Sequence, residues 1–509
     1  MAFFENLGFK SHPFAHTNAD EEPHLADYYI PPPFFDAVTG DSKNPNATVV
    51  LAPRGGGKTA QRRMVEAWAL SNKVLAVTYD RFEFGVGQNL KDIGLPYHLR
   101  NIIVRILITY LASLADSPDL IRQLDKSKKL TLSFFIHSYL GDMNGEKFQE
   151  VMRSIKSIPQ RVRDYWSKNI GLLEPLINIL LKSYGLDQID LPDLKQEEKK
   201  LSSSYKHQLE IILEIIKMHG LHSIYILIDK LDESEKTGTS PERTYLLIQP
   251  IVRDLELLGL NGYGFKIFIW DKILDYFRAD ARPDRISQHS ISWSRENLQK
   301  VLSARLSTFS DGKIVKFAQL LEKKPSYDVD LAICLFANHS PRNVIRICEK
   351  IMAVQAEMNS SSKFITESGV DRGILLFCEE ITNELYGEEV CRDLKRAGRE
   401  LFTINYLASS IFKTSHENTS RNKVTNWQNC GLVSQLGTVS VAGVRRPLNF
   451  YYVSDPAMIR LIHEVVPLEE FFKDRWVECP HCYTDNLMDI NLIPDGNEPK
   501  CFSCNRNLF

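Results

Sequence analysis

Between residues 48 and 71 a short strand, a glycine-rich loop and a helix follow one another along the chain. The run Thr48–Leu51 predicts a buried strand, and AQRRMVEAWALS, which begins at Ala60, has the spacing of a helix. The loop between them consists of Ala52, Pro53, Arg54, Gly55, Gly56, Gly57, Lys58 and Thr59. Loops of this kind wrap a phosphate chain with their backbone N–H groups at a helix N-terminus. The segment therefore predicts an α/β fold with a phosphate site.

The loop follows the G-x-x-x-x-G-K-[ST] pattern of P-loops with one departure, because Ala52 stands where the pattern has its first glycine. In that pattern Lys58 contacts the β- and γ-phosphates, Thr59 holds Mg²⁺, and the backbone from Pro53 to Gly57 binds the phosphate chain. The alternative is a glycine-rich turn that ends in Lys-Thr by chance. The strand and helix on either side favour the P-loop.

A second group of candidates follows the apolar run Ser223–Ile228, which is typical of a strand buried on both faces. An acid at the carboxyl end of such a strand lies beside the P-loop, so Asp229 is the second candidate ligand for Mg²⁺. Asp232 and Glu233 follow as candidate catalytic acids, and Glu233 is expected to orient or deprotonate the attacking water. The alternative is a solvated acidic cluster that caps the next helix.

The remaining patterns complete a parallel sheet. Strands are predicted at Lys73–Asp80 and Phe265–Trp270, and TYLLIQPIVRDLELLGL has helical spacing between the last two strands. From about 95 to 220 the sequence is mostly helical in period, which predicts an inserted helical subdomain. The predicted fold class is α/β, with a P-loop NTPase sheet, a helical insertion and a helical lid, followed by two small modules.

An apolar strand followed by Asp229, two residues and then Asp232-Glu233 resembles the Walker B pattern of STAND and NACHT-type ATPases. It is also similar to that of AAA+ ATPases of the origin-recognition type. The segment before the P-loop resembles that of bacterial P-loop ATPases lying between these classes, on the residues Phe14, Ala19, Glu22, Tyr29 and Pro32. The resemblance covers roughly residues 10 to 350. It implies a nucleotide-driven ATPase whose N-terminal segment runs near the adenine.

Two later stretches fit a lid. Ser292–Leu298 begins a helix that continues to Arg305, and Ser340-Pro341-Arg342 resembles the sensor 2 turn of AAA+ relatives. That resemblance implies that Arg342 reaches the γ-phosphate, whereas the alternative is a surface arginine at a Ser-Pro helix start. Arg282 and Arg285 are candidates for an arginine finger in trans, against the alternative of solvated loop arginines.

The segment after residue 400 predicts a helix over LFTINYLASS, a second helix from about Ser420 to Trp427, and two β-rich runs around a glycine-containing turn. This order resembles a winged helix. Five basic residues stand against the single acid Glu417 between Ile411 and Phe450, namely Lys413, Arg421, Lys423, Arg445 and Arg446. The excess suits DNA backbone contacts, with the second helix in a major groove. The alternative is a module that binds protein or inhibits the ATPase.

Two Cys-x-x-Cys pairs, Cys479 with Cys482 and Cys501 with Cys504, stand 18 residues apart near the end of the chain. This spacing predicts a closed tetrahedral Zn²⁺ site, and hence a structural zinc ribbon. The alternative is a redox pair, which usually needs only one Cys-x-x-Cys. The ribbon could serve nucleic acid, protein or its own domain.

Length and charge limit the remaining possibilities. The 509 residues suffice for several domains, and the formal charge of −2 excludes binding of nucleic acid through global positive charge. No stretch is long and apolar enough for a membrane span, which predicts a cytoplasmic protein without a membrane partner. The predicted domains are an N-terminal segment near the nucleotide at 1–45, a core at 46–290, a lid at 291–375, a winged-helix-like domain at 376–472 and a zinc ribbon at 473–509.

Together these patterns predict a switch ATPase with ATP, Mg²⁺ and Zn²⁺ as cofactors. It is expected to form homo-oligomers on ATP binding and to act with DNA or a partner effector protein. The resemblance alone suggests a setting in bacterial anti-phage defence or mobile-element biology. The alternative function is an adaptor that binds nucleotide without hydrolysing it and recognises protein through its C-terminal modules.

Overall fold

The computed structural model describes residues 2–85, 87–114, 124–140, 204–282, 284–413, 417–440, 446–493, 498–501 and 504–509. The chain divides into two compact units. One unit is Pro31–Ser292, and the other joins Met1–Ile30 to Trp293–Phe509. Two short helices, α1 (Ala2–Asn6) and α2 (Leu25–Tyr28), lie in the N-terminal part of the second of these units.

A five-stranded parallel sheet forms the centre of the unit Pro31–Ser292, in the spatial order β2-β3-β4-β1-β5. Its strands are β1 (Thr48–Ala52), β2 (Val74–Tyr79), β3 (Ser223–Ile228), β4 (Tyr263–Trp270) and β5 (Ser287–Ser290). The first four are buried almost throughout, which is why they read as continuous apolar runs. The predicted α/β parallel sheet is confirmed. Strand β5 was not predicted, because its polar sequence SQHS carries no strand signal.

Helices surround this sheet, and all but the first two of them contribute to its hydrophobic core. They are α3 (Phe35–Thr39), α4 (Lys58–Ser71), α5 (Leu95–Leu114), α6 (Lys126–Leu140), α7 (Tyr205–Lys217), α8 (Pro241–Val252), α9 (Leu255–Leu258) and α10 (Leu274–Asp280). Helices α5 to α7 occupy the predicted insertion, of which residues 115–123 and 141–203 lie outside the described part. The helix predicted between the last two central strands is broken in two. The break falls at Asp254, whose side chain accepts from the backbone N–H of Leu257 and starts α9.

The other unit continues with four helices, α11 (Arg295–Phe309), α12 (Val329–Phe336), α13 (Pro341–Met358) and α14 (Glu367–Tyr386). Ser294 and Ser340 cap α11 and α13, each accepting a hydrogen bond from a backbone N–H three residues on. Helices α13 and α14 pack closely along their length, and Gly373 lies at their contact.

A small antiparallel sheet follows, with strand order β6-β8-β7. The elements in chain order are α15 (Glu388–Ala397), β6 (Leu401–Thr403), a helical turn α16 (Ile404–Tyr406), α17 (Glu417–Asn429), β7 (Val433–Val439) and β8 (Leu448–Val453). The helix predicted from Leu401 was wrong at its start. Leu401–Thr403 pairs with β8, and the Thr403 hydroxyl caps the turn that begins at Ile404.

The chain ends with helices α18 (Pro456–Ile462) and α19 (Leu468–Arg475) and the antiparallel pair β9 (Trp476–Glu478) and β10 (Asp485–Leu487). Arg295, at the start of α11, donates hydrogen bonds to Glu478 and Asp485 at 2.9 and 2.6 Å. This contact ties the last strands to α11. Among the described residues, no helix combines the length and apolar character that crossing a membrane requires.

Candidate nucleotide and metal sites

The phosphate loop turns from β1 into α4 on glycines that adopt conformations unfavourable to other residues. Gly55 and Gly57 have φ of +76° and +93°, and Gly57 is the N-cap of α4. A Cβ on Gly56 would lie 3.0 Å from the Pro53 carbonyl oxygen and 3.1 Å from the Cβ of Ala52. Ala52 is therefore accommodated in place of the usual first glycine, because Gly56 leaves room for its methyl group.

Lys58 lies buried at the first position of α4. Its amine donates hydrogen bonds to the backbone carbonyls of Ala52 at 3.0 Å and Pro53 at 3.1 Å. Burial lowers the pKa of this amine, and four nearby carboxylates oppose that shift. The four are Asp232, Asp229, Asp271 and Glu233. The amine is thus enclosed by acids from the ends of β3 and β4, as the sequence predicted for β3.

Asp229 is fully buried at the end of β3 and accepts a hydrogen bond from the Thr59 side chain. Its carboxylate also lies 3.1 Å from Nε of Arg62, which in turn pairs with Glu66. Burial raises the pKa of Asp229, and Arg62 and Thr59 both act to lower it. The two predicted Mg²⁺ ligands are therefore in contact with each other. Arg62 was not predicted, since a helical arginine in the sequence gives no sign of burial.

Asp232 and Glu233 occupy a 3₁₀ turn, Leu231–Glu233, directly after β3. Asp232 is buried and paired with Arg54 of the phosphate loop, whereas Glu233 is exposed. The turn is reached through Lys230, which has φ of +58° and so occupies a position that favours glycine. The two acids thus differ in surroundings, and only Glu233 is open to solvent water.

Asp271, which follows β4 directly, was missed by the sequence interpretation. Its Oδ1 atom is buried and makes no hydrogen bond within the described part of the chain, and its charge acts on Lys58. The signal that could have found it is the one used for Asp229. Both are acids placed immediately after an apolar strand.

The three arginines predicted to contact the nucleotide are exposed. Arg342 is exposed in the first turn of α13, in the unit that does not contain the phosphate loop. Arg282 and Arg285 are exposed after α10, with Arg282 at 3.6 Å from Asp284. Their nucleotide roles stay predictions.

The four C-terminal cysteines come together as one cluster, with their sulfurs within 4.8 Å of one another. The sulfur–sulfur distance is 3.7 Å for Cys479 with Cys504 and 3.6 Å for Cys482 with Cys501. Four thiolates at about 2.3 Å from a tetrahedral Zn²⁺ would lie about 3.8 Å apart. The cluster therefore fits a metal ion of this size. The five other cysteines are Cys334, Cys348, Cys378, Cys391 and Cys430, of which only Cys430 is exposed.

The basic residues around α17 differ in their surroundings. Lys423 is bound by Asp393 and Glu389 of α15, at 2.5 and 3.2 Å. Lys413, Arg421 and Arg446 are exposed, and Arg445 lies outside the described residues. The charge of Lys423 is therefore balanced by acids of α15.

No family model and no curated protein matches the chain. Solved structures similar to it include Cdc6p from Pyrobaculum aerophilum, at 12% identity and a TM-score of 0.33, covering 89% of this chain and 98% of that one. The Orc1 protein of Aeropyrum pernix in complex with DNA matches at 10% identity and a TM-score of 0.36, covering 90% and 98%. The Orc2 protein of Aeropyrum pernix, in ADPNP–ADP complexes, matches at 13% and 0.36, covering 88% and 99%. Similarity at this level assigns the chain neither a family nor an activity.

Proposed function

We propose that the chain binds ATP with Mg²⁺ at the phosphate loop and hydrolyses it. The contact between Thr59 and Asp229, beside the buried amine of Lys58, is the observation that carries the proposal. A hydroxyl and a carboxylate in this position offer the hard oxygen ligands that Mg²⁺ takes next to a nucleotide. Magnesium, when bound, neutralises charge on the phosphate oxygens.

Each side chain then has a distinct part. When nucleotide binds, the Lys58 amine donates to β- and γ-phosphate oxygens in place of the carbonyls of Ala52 and Pro53. Its buried positive charge is then paired with negative charge. Arg62 favours the ionised form of Asp229 against the effect of burial. Glu233, which is open to solvent, orients the attacking water and accepts its proton. Asp232 supports that turn through its pair with Arg54.

For the C-terminal cluster we propose a structural zinc ribbon held by Cys479, Cys482, Cys501 and Cys504. The sulfur separations support this, because they match the edges of a zinc–thiolate tetrahedron. With four protein ligands no position stays open, so the metal stabilises the fold and takes no part in a reaction.

For residues 376–472 we propose a winged helix that contacts DNA through α17. The order helix, strand, helix, helix, strand, strand supports that fold. The solvent face of α17 supports DNA as the partner, because it presents four exposed asparagines, Asn418, Asn422, Asn426 and Asn429. Asparagine is a poor helix former, at about 0.5 kcal/mol or more below alanine, but its amide can pair bidentately with adenine.

In this account the chain is a switch whose nucleotide state controls DNA contact. Homo-oligomer formation on ATP binding, γ-phosphate contact by Arg342 and a setting in bacterial defence or mobile-element biology belong to the same proposal. They rest on the resemblance of the Walker B and sensor 2 patterns. The second candidate, a non-hydrolysing adaptor for a protein partner, is favoured by the pairing of Lys423 with acids, which reduces the charge available to DNA.

The test is Mg²⁺-dependent ATP hydrolysis by the wild type, Lys58→Ala and Glu233→Gln, with and without duplex DNA across a range of salt concentrations. We expect turnover by the wild type and a loss of about 100-fold in each variant. Stimulation by DNA that is lost in the Arg421→Ala, Arg446→Ala double variant would support the DNA-facing function. No hydrolysis under any condition would contradict the ATPase function and favour the non-hydrolysing adaptor.

The zinc ribbon is tested separately, by measuring the metal content of the wild type and of Cys501→Ser.

A further inference from the structure

Arg54, at the third position of the phosphate loop, directs its hydrogen bonds to the protein. Its Nε donates to Oδ2 of Asp232, and its Nη2 donates to the backbone carbonyls of Asp232 and Gly238, each at 2.9 Å. The guanidinium also lies over the ring of Trp270, with 4.6 Å between Cζ and the ring centroid. One side chain of the phosphate loop thus contacts residues that follow β3 and the last residue of β4.

The segment that Arg54 holds, Leu231–Gly238, is called the acidic turn below. Inside it, the buried Thr237 donates its hydroxyl to the Leu231 carbonyl at 2.6 Å, and the Ser234 and Thr237 hydroxyls share a hydrogen bond at 2.7 Å. Arg54 bonds near both ends of this segment, at Asp232 and Gly238. The acidic turn is therefore closed by its own hydroxyl groups and bonded to the Arg54 guanidinium of the phosphate loop.

Most N–H groups of the Arg54 guanidinium are bonded to the acidic turn and are therefore not available to a nucleotide. A guanidinium has five N–H groups in a fixed plane, and the three bonds to the acidic turn occupy Nε and both hydrogens of Nη2. Only the two hydrogens of Nη1 make no hydrogen bond within the described part of the chain. The side chain is 40% exposed, so it has room to move, yet its position over the Trp270 ring and its forked bonds hold it toward the turn.

We propose that Arg54 is a positioning residue that keeps the acidic turn, and with it Asp232 and Glu233, in register with the phosphate loop. This inference rests on the proposed hydrolysis. Because small displacements of a catalytic group from its productive geometry cost about 100-fold in rate, loss of the attachment lowers the rate of the chemical step. ATP affinity changes little, since Lys58 and the loop backbone provide the phosphate contacts.

The test compares Arg54→Gln and Arg54→Lys with the wild-type full-length chain. We expect kcat to fall at least tenfold in both variants while KM for ATP stays within threefold, because lysine keeps the charge but not the fork. Arg253→Gln is the matched control, since Arg253 pairs with Asp280 at 3.3 Å while 57% exposed. That variant is expected to keep wild-type kcat and KM.

Hydrogen exchange of the nucleotide-free protein gives a second readout that does not need turnover. Amides of the acidic turn are expected to exchange at least tenfold faster in both Arg54 variants, with those of β3 and β4 unchanged. A raised KM with unchanged kcat, full activity in Arg54→Lys, or unchanged exchange would overturn the inference alone. Absence of hydrolysis by the wild type would overturn the proposed function, and this inference with it.

Discussion

Lys266 lies inside β4 with its side chain wholly buried. Its amine donates hydrogen bonds to the backbone carbonyl and the side-chain oxygen of Asn46, at 2.9 and 2.8 Å, and lies 4.9 Å from the centroid of the Tyr225 ring. No carboxylate pairs with it among the described residues. Burial therefore lowers the pKa of Lys266 from 10.5 to about 7.

This shift makes folding stability depend on pH. Between about pH 7 and pH 10 the unfolded chain binds a proton at Lys266 that the folded chain does not, so the free energy of unfolding rises with pH. The slope from this one group approaches about 1.4 kcal/mol per pH unit. We expect Lys266→Met to remove that slope when urea unfolding of both proteins is measured from pH 7.5 to 9.5. Identical slopes in the two proteins would show that Lys266 stays charged in the fold.

At single positions the sequence predicted the charged centre of the site but not its buried partners. Lys58, Thr59 and Asp229 could be assigned because a loop pattern and a strand end fix their places. Arg62 could not, since nothing local distinguishes a buried helical arginine from a solvated one. Asp271 was missed although it follows an apolar strand as Asp229 does. The place of Asp271 follows from the sheet order, in which β4 lies between β3 and β1.

Among the elements, the contact between α13 and α14 depends on one glycine. A Cβ on Gly373 would lie 2.5 Å from Cα and 2.8 Å from the backbone nitrogen of Ile351. Backbone atoms of a packed helix cannot yield as a flexible side chain does. The two helices therefore approach as closely as they do only because position 373 lacks a side chain.

Gly373→Ala is accordingly expected to lower the free energy of unfolding by about 2 kcal/mol, although alanine is the better helix former. Glu379→Ala, on the exposed side of the same helix, is expected to change it by less than about 0.5 kcal/mol. Denaturant unfolding of the three proteins gives both values. A Gly373→Ala protein as stable as the wild type would mean that the helices lie further apart.

Elements with strong local signals were predictable and weakly marked ones were not. The four central strands are apolar because both their faces are covered, and this burial is visible in the sequence. Strand β5 is short, polar and at the sheet edge, so only its pairing with β1 defines it. Leu401–Thr403 has helical neighbours, and its pairing with β8 outweighs the local pattern.

For the whole molecule, the first 30 residues belong to the same unit as residues 293–509, and Arg305 of α11 is one of the residues that hold them there. Arg305 bonds to Glu22 and to the Tyr28 hydroxyl, and both ends of the Arg305–Glu22 pair are only 2% exposed. Its guanidinium also lies over the rings of Phe14 and Phe309. A buried pair of this kind is costly to break, because the remaining charge is left without a partner.

Glu22→Gln is expected to lower the free energy of unfolding by about 3 kcal/mol. Asp311→Asn is the matched acid-to-amide control, since Asp311 pairs with Lys10 while the two side chains are 51% and 68% exposed. Its expected effect is below about 1 kcal/mol. Denaturant unfolding compares the two, and equal effects would indicate that the N-terminal segment is not held through Arg305.

The central claim is that the phosphate loop and the end of β3 form one Mg²⁺-dependent nucleotide site. Calorimetric titration of the full-length chain with ATP tests it directly, with and without Mg²⁺, for the wild type, Lys58→Ala and the exposed-lysine control Lys217→Ala. We expect Mg²⁺-dependent binding by the wild type and the control, and affinity at least tenfold weaker in Lys58→Ala, a difference of about 1.4 kcal/mol or more. Absence of binding by the wild type, or equal affinity in Lys58→Ala, would contradict the claim.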